Sequence, residues 1–270
     1  MNFDLPALNR KRWMSMILVA ALVTFVRIMM QPLIPAGEVQ VGPSAIVEAG
    51  LLIPVFTVYA FISYLVMCYA FVVLDARLPW GRMRKGLLFG AALGAIWVAY
   101  LFEPVPLGEG TPFLDLLAYP IADGLSVLVL GVLLGRFVAT DVPEVINSFE
   151  CKWAALLVFP IILLVVRLFE YNVLDIYSSY SDRTVDTIVW VLITGAFIGA
   201  SYVAVRPGAP SKTPSGRALA FALLFYGLPI VMVNFFVILA LDIDAADMVL
   251  RSVMDVLSVG VAAYLVERLG

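Results

Sequence analysis

Eight stretches of this chain are each long and apolar enough to cross a lipid bilayer, and that excludes most folds. The hydrocarbon core takes about 20 apolar residues in a helix. The stretches are 13–32, 51–74, 86–103, 117–137, 153–173, 187–205, 217–241 and 248–267. Lipid offers no hydrogen bonds to exposed N–H and C=O groups, so apolar runs of this length fold as helices. A soluble helical core is the alternative, and composition excludes it. Of 270 residues 63% are hydrophobic and 14% charged, whereas a soluble domain carries roughly 25% charged residues. Too little polar sequence remains to cover such a core. The expected fold is an all-α polytopic membrane protein with eight transmembrane helices, placed in the cell membrane. Trp13–Val26 has the apolar run of a signal peptide, but Arg27 and Pro32 follow and no small-x-small cleavage site does, so it is read as the first span.

The cations are sorted between the joints. The segment before the first span and the joints after the second, fourth, sixth and eighth, counted with the span ends that flank them, hold thirteen of the seventeen Lys and Arg residues. The other joints are acidic, and Arg183 is their one cation. Lys and Arg in short loops mark the cytoplasmic side, so both termini are expected there. The net charge of −3 therefore says little about partners. Cys68 and Cys151 fall on the basic side, where no disulfide is expected.

Parts of the chain occur twice. Lys11-Arg12-Trp13 is followed by Arg27, and Cys151-Lys152-Trp153 by Arg167; each arginine lies 14 residues after its tryptophan, with an offset of 140 (167 − 27). Asp123-Gly124-Leu125-Ser126 with Arg136 matches Asp255-Val256-Leu257-Ser258 with Arg268 at an offset of 132 (255 − 123). Gly81-Arg82 and Gly216-Arg217 differ by 135 (216 − 81). The offset falls in chain order, as it does when the second unit has shorter loops. Two four-helix repeats are expected, 1–137 and 153–270, joined by a cytoplasmic linker at 138–152. An even number of spans makes them parallel.

Glycines at four-residue spacing, Gly86/Gly90/Gly94, Gly131/Gly135 and Gly195/Gly199, let membrane helices approach closely. Pro120, Pro160 and Pro229 lie inside spans, and Gly227-Leu228-Pro229 is the expected helix break.

Charges inside spans are expensive and normally find partners. Arg27 lies 14 residues up the first helix, about 21 Å at the helical rise. Asp123 lies 13 residues above the other end of an oppositely directed helix, about 20 Å. Arg167 and Asp255 match in the same way. The expectation is contact between Arg27 and Asp123 and between Arg167 and Asp255. Ser126 and Ser258, one turn from the aspartates, are candidates to add hydroxyls. Tyr59, Ser63, Tyr64, Tyr69, Ser201 and Tyr202 are further candidates to line a polar cavity. Glu103, Glu170 and Arg251 lie near helix ends and are expected to reach for the interface.

Two readings fit these charges. They are structural salt bridges, or they form a small-solute or ion site between the repeats. The first makes the protein a non-catalytic membrane subunit or scaffold. The second makes it a transporter or substrate-binding membrane component, with Arg27, Asp123, Ser126, Arg167, Asp255 and Ser258 at the site. A lipid-modifying enzyme is a third class, and the residues disfavour it. Histidine is absent, and no P-loop, Gly-x-Ser-x-Gly elbow or Gly-x-Gly-x-x-Gly occurs. Asp75-Ala76-Arg77 lacks the further aspartates that a metal-dependent lipid transferase needs. The expectation is no enzyme, no cofactor and no metal. The expected partners are the lipid bilayer, a small-molecule or ion ligand and another membrane protein, with no nucleic acid.

Overall fold

The computed structural model describes residues 8–34, 42–103, 113–141 and 153–269. Cys151, Lys152, Glu38, Glu109 and most of the 138–152 joint lie outside the described residues. Among the described residues the structure is all-helical. Its eight long helices are α1 (Arg10–Met30), α2 (Leu52–Asp75), α3 (Arg82–Leu101), α4 (Phe113–Phe137), α5 (Ala155–Asn172), α6 (Thr184–Val205), α7 (Pro214–Ala240) and α8 (Ala245–Leu269). Each contains a span long and apolar enough to cross a membrane, as a multi-pass membrane protein requires.

The helix ends extend past the apolar runs where polar residues can cap them. Asn9 accepts the Arg12 N–H at 2.9 Å, so α1 starts at Arg10 rather than Trp13. Thr213 accepts the Gly216 N–H at 3.2 Å, and Pro214 follows at a position where its missing N–H is no loss.

The break expected at Gly227-Leu228-Pro229 does not interrupt α7, whose backbone stays helical through Gly227 and Leu228 and only widens locally. The helix is α-helical over Pro214–Ala220, π-helical over Phe221–Gly227 and α-helical again over Leu228–Ala240. Proline in a helix clashes with the carbonyl four residues back. The wider turn just ahead of Pro229 accommodates this, and the Leu228 N–H bonds back to Leu223 O.

Glycine sets the closest helix contacts. A Cβ at Gly86 would lie 2.2 Å from Gly131 O, and one at Gly131 would lie 2.5 Å from Gly86 O. No side chain fits there, so α3 and α4 touch backbone to backbone. Gly94 meets only ordinary contact, 3.7 Å from Val127 Cγ1, and the seam is made by its two predecessors. A Cβ at Gly195 would lie 2.5 Å from Pro160 Cα, and one at Gly199 2.5 Å from Ala155 O, so α6 lies equally close to α5.

In the first half α1 packs on α2 and α4, and α3 packs on α4. In the second half α5 packs on α6 and α8, and α7 packs on α8. Across the halves α3 meets α6 and α2 meets α7. Buried rings run through this junction. Phe71 of α2 meets Phe89 of α3 at 5.3 Å, Phe89 meets Phe225 of α7 at 5.5 Å, and Phe221 meets Tyr202 of α6 at 4.9 Å. Outward-facing apolar side chains, such as Phe25, Ile53, Leu157 and Val185, are exposed, as suits a lipid-facing surface.

At the basic end two buried carboxylates gather cations. Asp75 accepts from Arg12 (2.5 Å), Lys85 (3.1 Å) and the Thr140 hydroxyl (2.9 Å). The fully buried Lys85 also donates to the Asp75 and Thr140 carbonyls. Residues 138–141, assigned to the linker from sequence, are thereby fastened to the bundle. Glu267 accepts from Tyr202, Arg206 and Arg217.

Candidate functional site

Both expected Arg/Asp contacts are present, each within one half of the chain. Arg27, in the last turn of α1, is buried and its Nε donates to Asp123 Oδ1 on α4. Its Nη1 donates to Gln31 Oε1 at 2.9 Å, one turn on. Trp97 of α3 donates its indole N–H to the other Asp123 oxygen at 3.0 Å. The guanidinium lies 5.1 Å from the Tyr119 ring centroid and 5.6 Å from that of Phe56, so ring faces stand where solvent would.

The second pair is more deeply buried and has more neighbours. Arg167 of α5 and Asp255 of α8 are both fully buried, and Nη2 donates to Oδ2 at 2.8 Å. Tyr100 of α3 donates to the same oxygen at 3.3 Å and shares a hydroxyl–hydroxyl bond with Tyr226 of α7. The Trp190 ring lies 5.5 Å from the guanidinium. Four helices, one of them from the first half, thus meet at Asp255 and its guanidinium partner.

Glu103, Glu170 and Arg251 correct the interfacial expectation, because all three turn inward. Arg251 donates to both Glu103 oxygens at 2.6 and 2.7 Å and to the Tyr177 carbonyl at 2.5 Å. Glu170 is fully buried, with Oε2 3.3 Å from Arg167 Nη1. The segment after α5 covers it. Ile176 N donates to the Glu170 carbonyl, and Tyr180 stacks on Tyr171 at 5.3 Å. A carboxylate so close to a helix end does not snorkel when a cationic partner and a covering loop sit on the inner side.

The serines point elsewhere. Ser126 donates to Ala122 O at 2.8 Å and Ser258 to Asp255 O at 2.8 Å, each within its own helix. Tyr59 donates to Met232 O, Ser63 to Tyr59 O, Ser201 to Ala92 O and Tyr202 to Glu267. The hydroxyls of Tyr59, Ser201 and Tyr202 fasten one helix to another, while that of Ser63 stays within its own helix. Among the described residues, no group of three or more His, Cys, Asp or Glu side chains is placed to hold a metal ion.

Several buried polar atoms of the second cluster have no hydrogen-bond partner among the described residues. They are Arg167 Nε and Nη1, Arg251 Nε, both Glu170 oxygens, Asp255 Oδ1 and the Tyr171 hydroxyl. In the first cluster the corresponding atom is Arg27 Nη2 alone. Sequence spacing carried a signal for the larger cluster. Arg167/Glu170 and Arg251/Asp255, three and four residues apart, lie on common helix faces. Nothing in the sequence pointed to Tyr100 and Tyr226. Comparison with protein-family models, with curated proteins and with solved structures returned no match.

Proposed function

We propose that this chain is a small-solute transporter, or the substrate-binding membrane component of one, and not an enzyme. The open hydrogen-bonding valences around Arg167 and Asp255 carry this reading. Buried polar atoms are normally satisfied. A cluster that leaves several of them open, walled by four helices from both halves, has the chemistry to take a small polar ligand. The Arg27/Asp123 pair lies at the equivalent place in the first half. Ser126 and Ser258 lie one turn away, with hydroxyls that only a rotamer change would free.

The architecture that goes with it is two parallel four-helix repeats with cytoplasmic termini in the cell membrane. The three most extensive helix pairings of the first half recur in the second, and both Arg/Asp contacts recur with them. Across the halves, Tyr59 of α2 donates to Met232 O of α7, and Trp190 of α6 donates to Ala99 O of α3. The donors are 131 apart (190 − 59) and the acceptors 133 apart (232 − 99), close to the sequence offsets. Cysteines placed in 138–152 are expected to label only from the cytoplasmic side. Labelling from outside would reverse the orientation.

The second reading, a non-catalytic membrane subunit, is supported by the first pair. Asp123 there has both oxygens engaged, and Arg27 is held by Asp123 and Gln31. A thermal-shift screen of small anions, amino acids and sugars on the purified protein separates the two. A ligand at a hundred times its Kd stabilises by about 2.7 kcal/mol. The transporter reading expects a stabilising ligand whose effect is lost in Arg167→Lys and kept in Arg27→Lys. A screen with no shift, together with a stoichiometric co-purifying membrane partner, would favour the subunit.

A further inference from the structure

The Arg167 cluster is short of one positive charge. Arg167 stands three residues before Glu170 on α5, Asp255 and Arg251 face it from α8, and Glu103 faces it from beyond the end of α3. Tyr171, Tyr100 and Tyr226 complete the surroundings. The tyrosines bring hydroxyls without charge. Asp247, one turn further out on α8, is bound to the Tyr177 N–H and adds no cation. Two guanidinium groups therefore confront three carboxyl groups, a balance of −1 if all are ionised. An uncompensated buried carboxylate is the most expensive arrangement available, and such a group neutralises instead.

The hydrogen bonds locate the deficit. Glu103 takes both its bonds from Arg251, and Asp255 takes bonds from Arg167 and Tyr100. Glu170 accepts from no donor at either oxygen among the described residues. Arg167 Nη1 lies within ion-pair distance but outside hydrogen-bonding geometry.

We infer that Glu170 is a proton-binding site, and that the resident proton balances the cluster. A metal cation fits less well. Hard cations take about six or more oxygen ligands, and the free oxygens here are those of Glu170, one of Asp255 and one of Tyr171. The ion would also sit beside the Arg167 guanidinium. A proton needs one oxygen and makes the carboxyl a donor, with Asp255 Oδ1 an unpartnered acceptor in the same cluster. The assignment rests on charge balance and holds for either reading of the protein's function.

Infrared spectroscopy of the full chain in nanodiscs at neutral pH tests it. The expected result is a carbonyl band of a protonated carboxylic acid that disappears in Glu170→Gln. Labelling the wild-type chain with 13C-glutamate should shift that band, a readout that does not depend on a variant folding. No such band, or one that survives Glu170→Gln, overturns the assignment. So does a band that appears only when sodium is replaced by choline, since a metal cation then held the place.

Discussion

Arg167→Ala is expected to destabilise the folded protein by about 3–5 kcal/mol, the range for breaking a buried ion pair by removing one partner. Asp255 would keep only Tyr100 as a donor, and Glu170 would lose its nearest cation. Unfolding in mixed micelles measures the loss. Arg167→Leu combined with Asp255→Leu should recover much of it, because apolar replacement of a whole buried pair is often neutral or stabilising. Arg27→Ala should cost less than Arg167→Ala. Trp97 still donates to Asp123, and among the described residues only Arg27 Nη2 lacks a partner, so fewer buried groups are orphaned. A ligand site leaves a different record. Ligand-induced stabilisation would vanish in Arg167→Ala, and the double variant would regain stability without regaining it. If Arg167→Ala and Arg27→Ala behave alike, the asymmetry read from the unpartnered atoms is wrong.

What the sequence disclosed, it disclosed along one axis. In a bilayer, position along a spanning helix becomes depth, and hydropathy marks where each helix enters and leaves. That is why the eight spans and the level of Arg27 with Asp123 and Arg167 with Asp255 could be read from numbers alone. Depth does not say which helix lies beside which. The Tyr100–Tyr226 bond, the Arg251–Glu103 pair and the ring contacts from Phe71 to Tyr202 are lateral, and they appear only once the helices are placed. Glu170 shows the limit within one helix. Two residues from the end of α5, its depth alone favoured the interface, and the fold over residues 173–183 decided otherwise. The glycine spacing identified close approach, yet not that Gly86 and Gly90 do the work on α3 while Gly94 does not.

The buried charges at the basic end escaped the same reasoning, because cations there are expected from the charge bias and ask for no further explanation. Lys85 looked like one more loop cation, but its side chain is fully buried and its three N–H groups are spent on the Asp75 carbonyl, the Asp75 carboxylate and the Thr140 carbonyl. Asp75→Ala is therefore expected to cost on the order of 3–5 kcal/mol, since it leaves a buried ammonium without its counterion. It also removes the acceptor of the Thr140 N–H and hydroxyl, so residues 138–141 should come loose. Limited proteolysis and amide exchange at 138–141 would both rise, while the Arg167 cluster at the far end keeps its protection. Asp75→Ala with Lys85→Met should recover most of the stability and little of the protection, because Thr140 still lacks its acceptor. The internal control is the neighbouring Arg82–Asp141 pair, 3.6 Å apart and largely exposed. Exposed pairs are worth under about 1 kcal/mol, so Asp141→Ala should change neither readout. If Asp75→Ala proves as mild as Asp141→Ala, the buried carboxylate does not hold the start of the joint, and Lys85 must find another partner within the bundle.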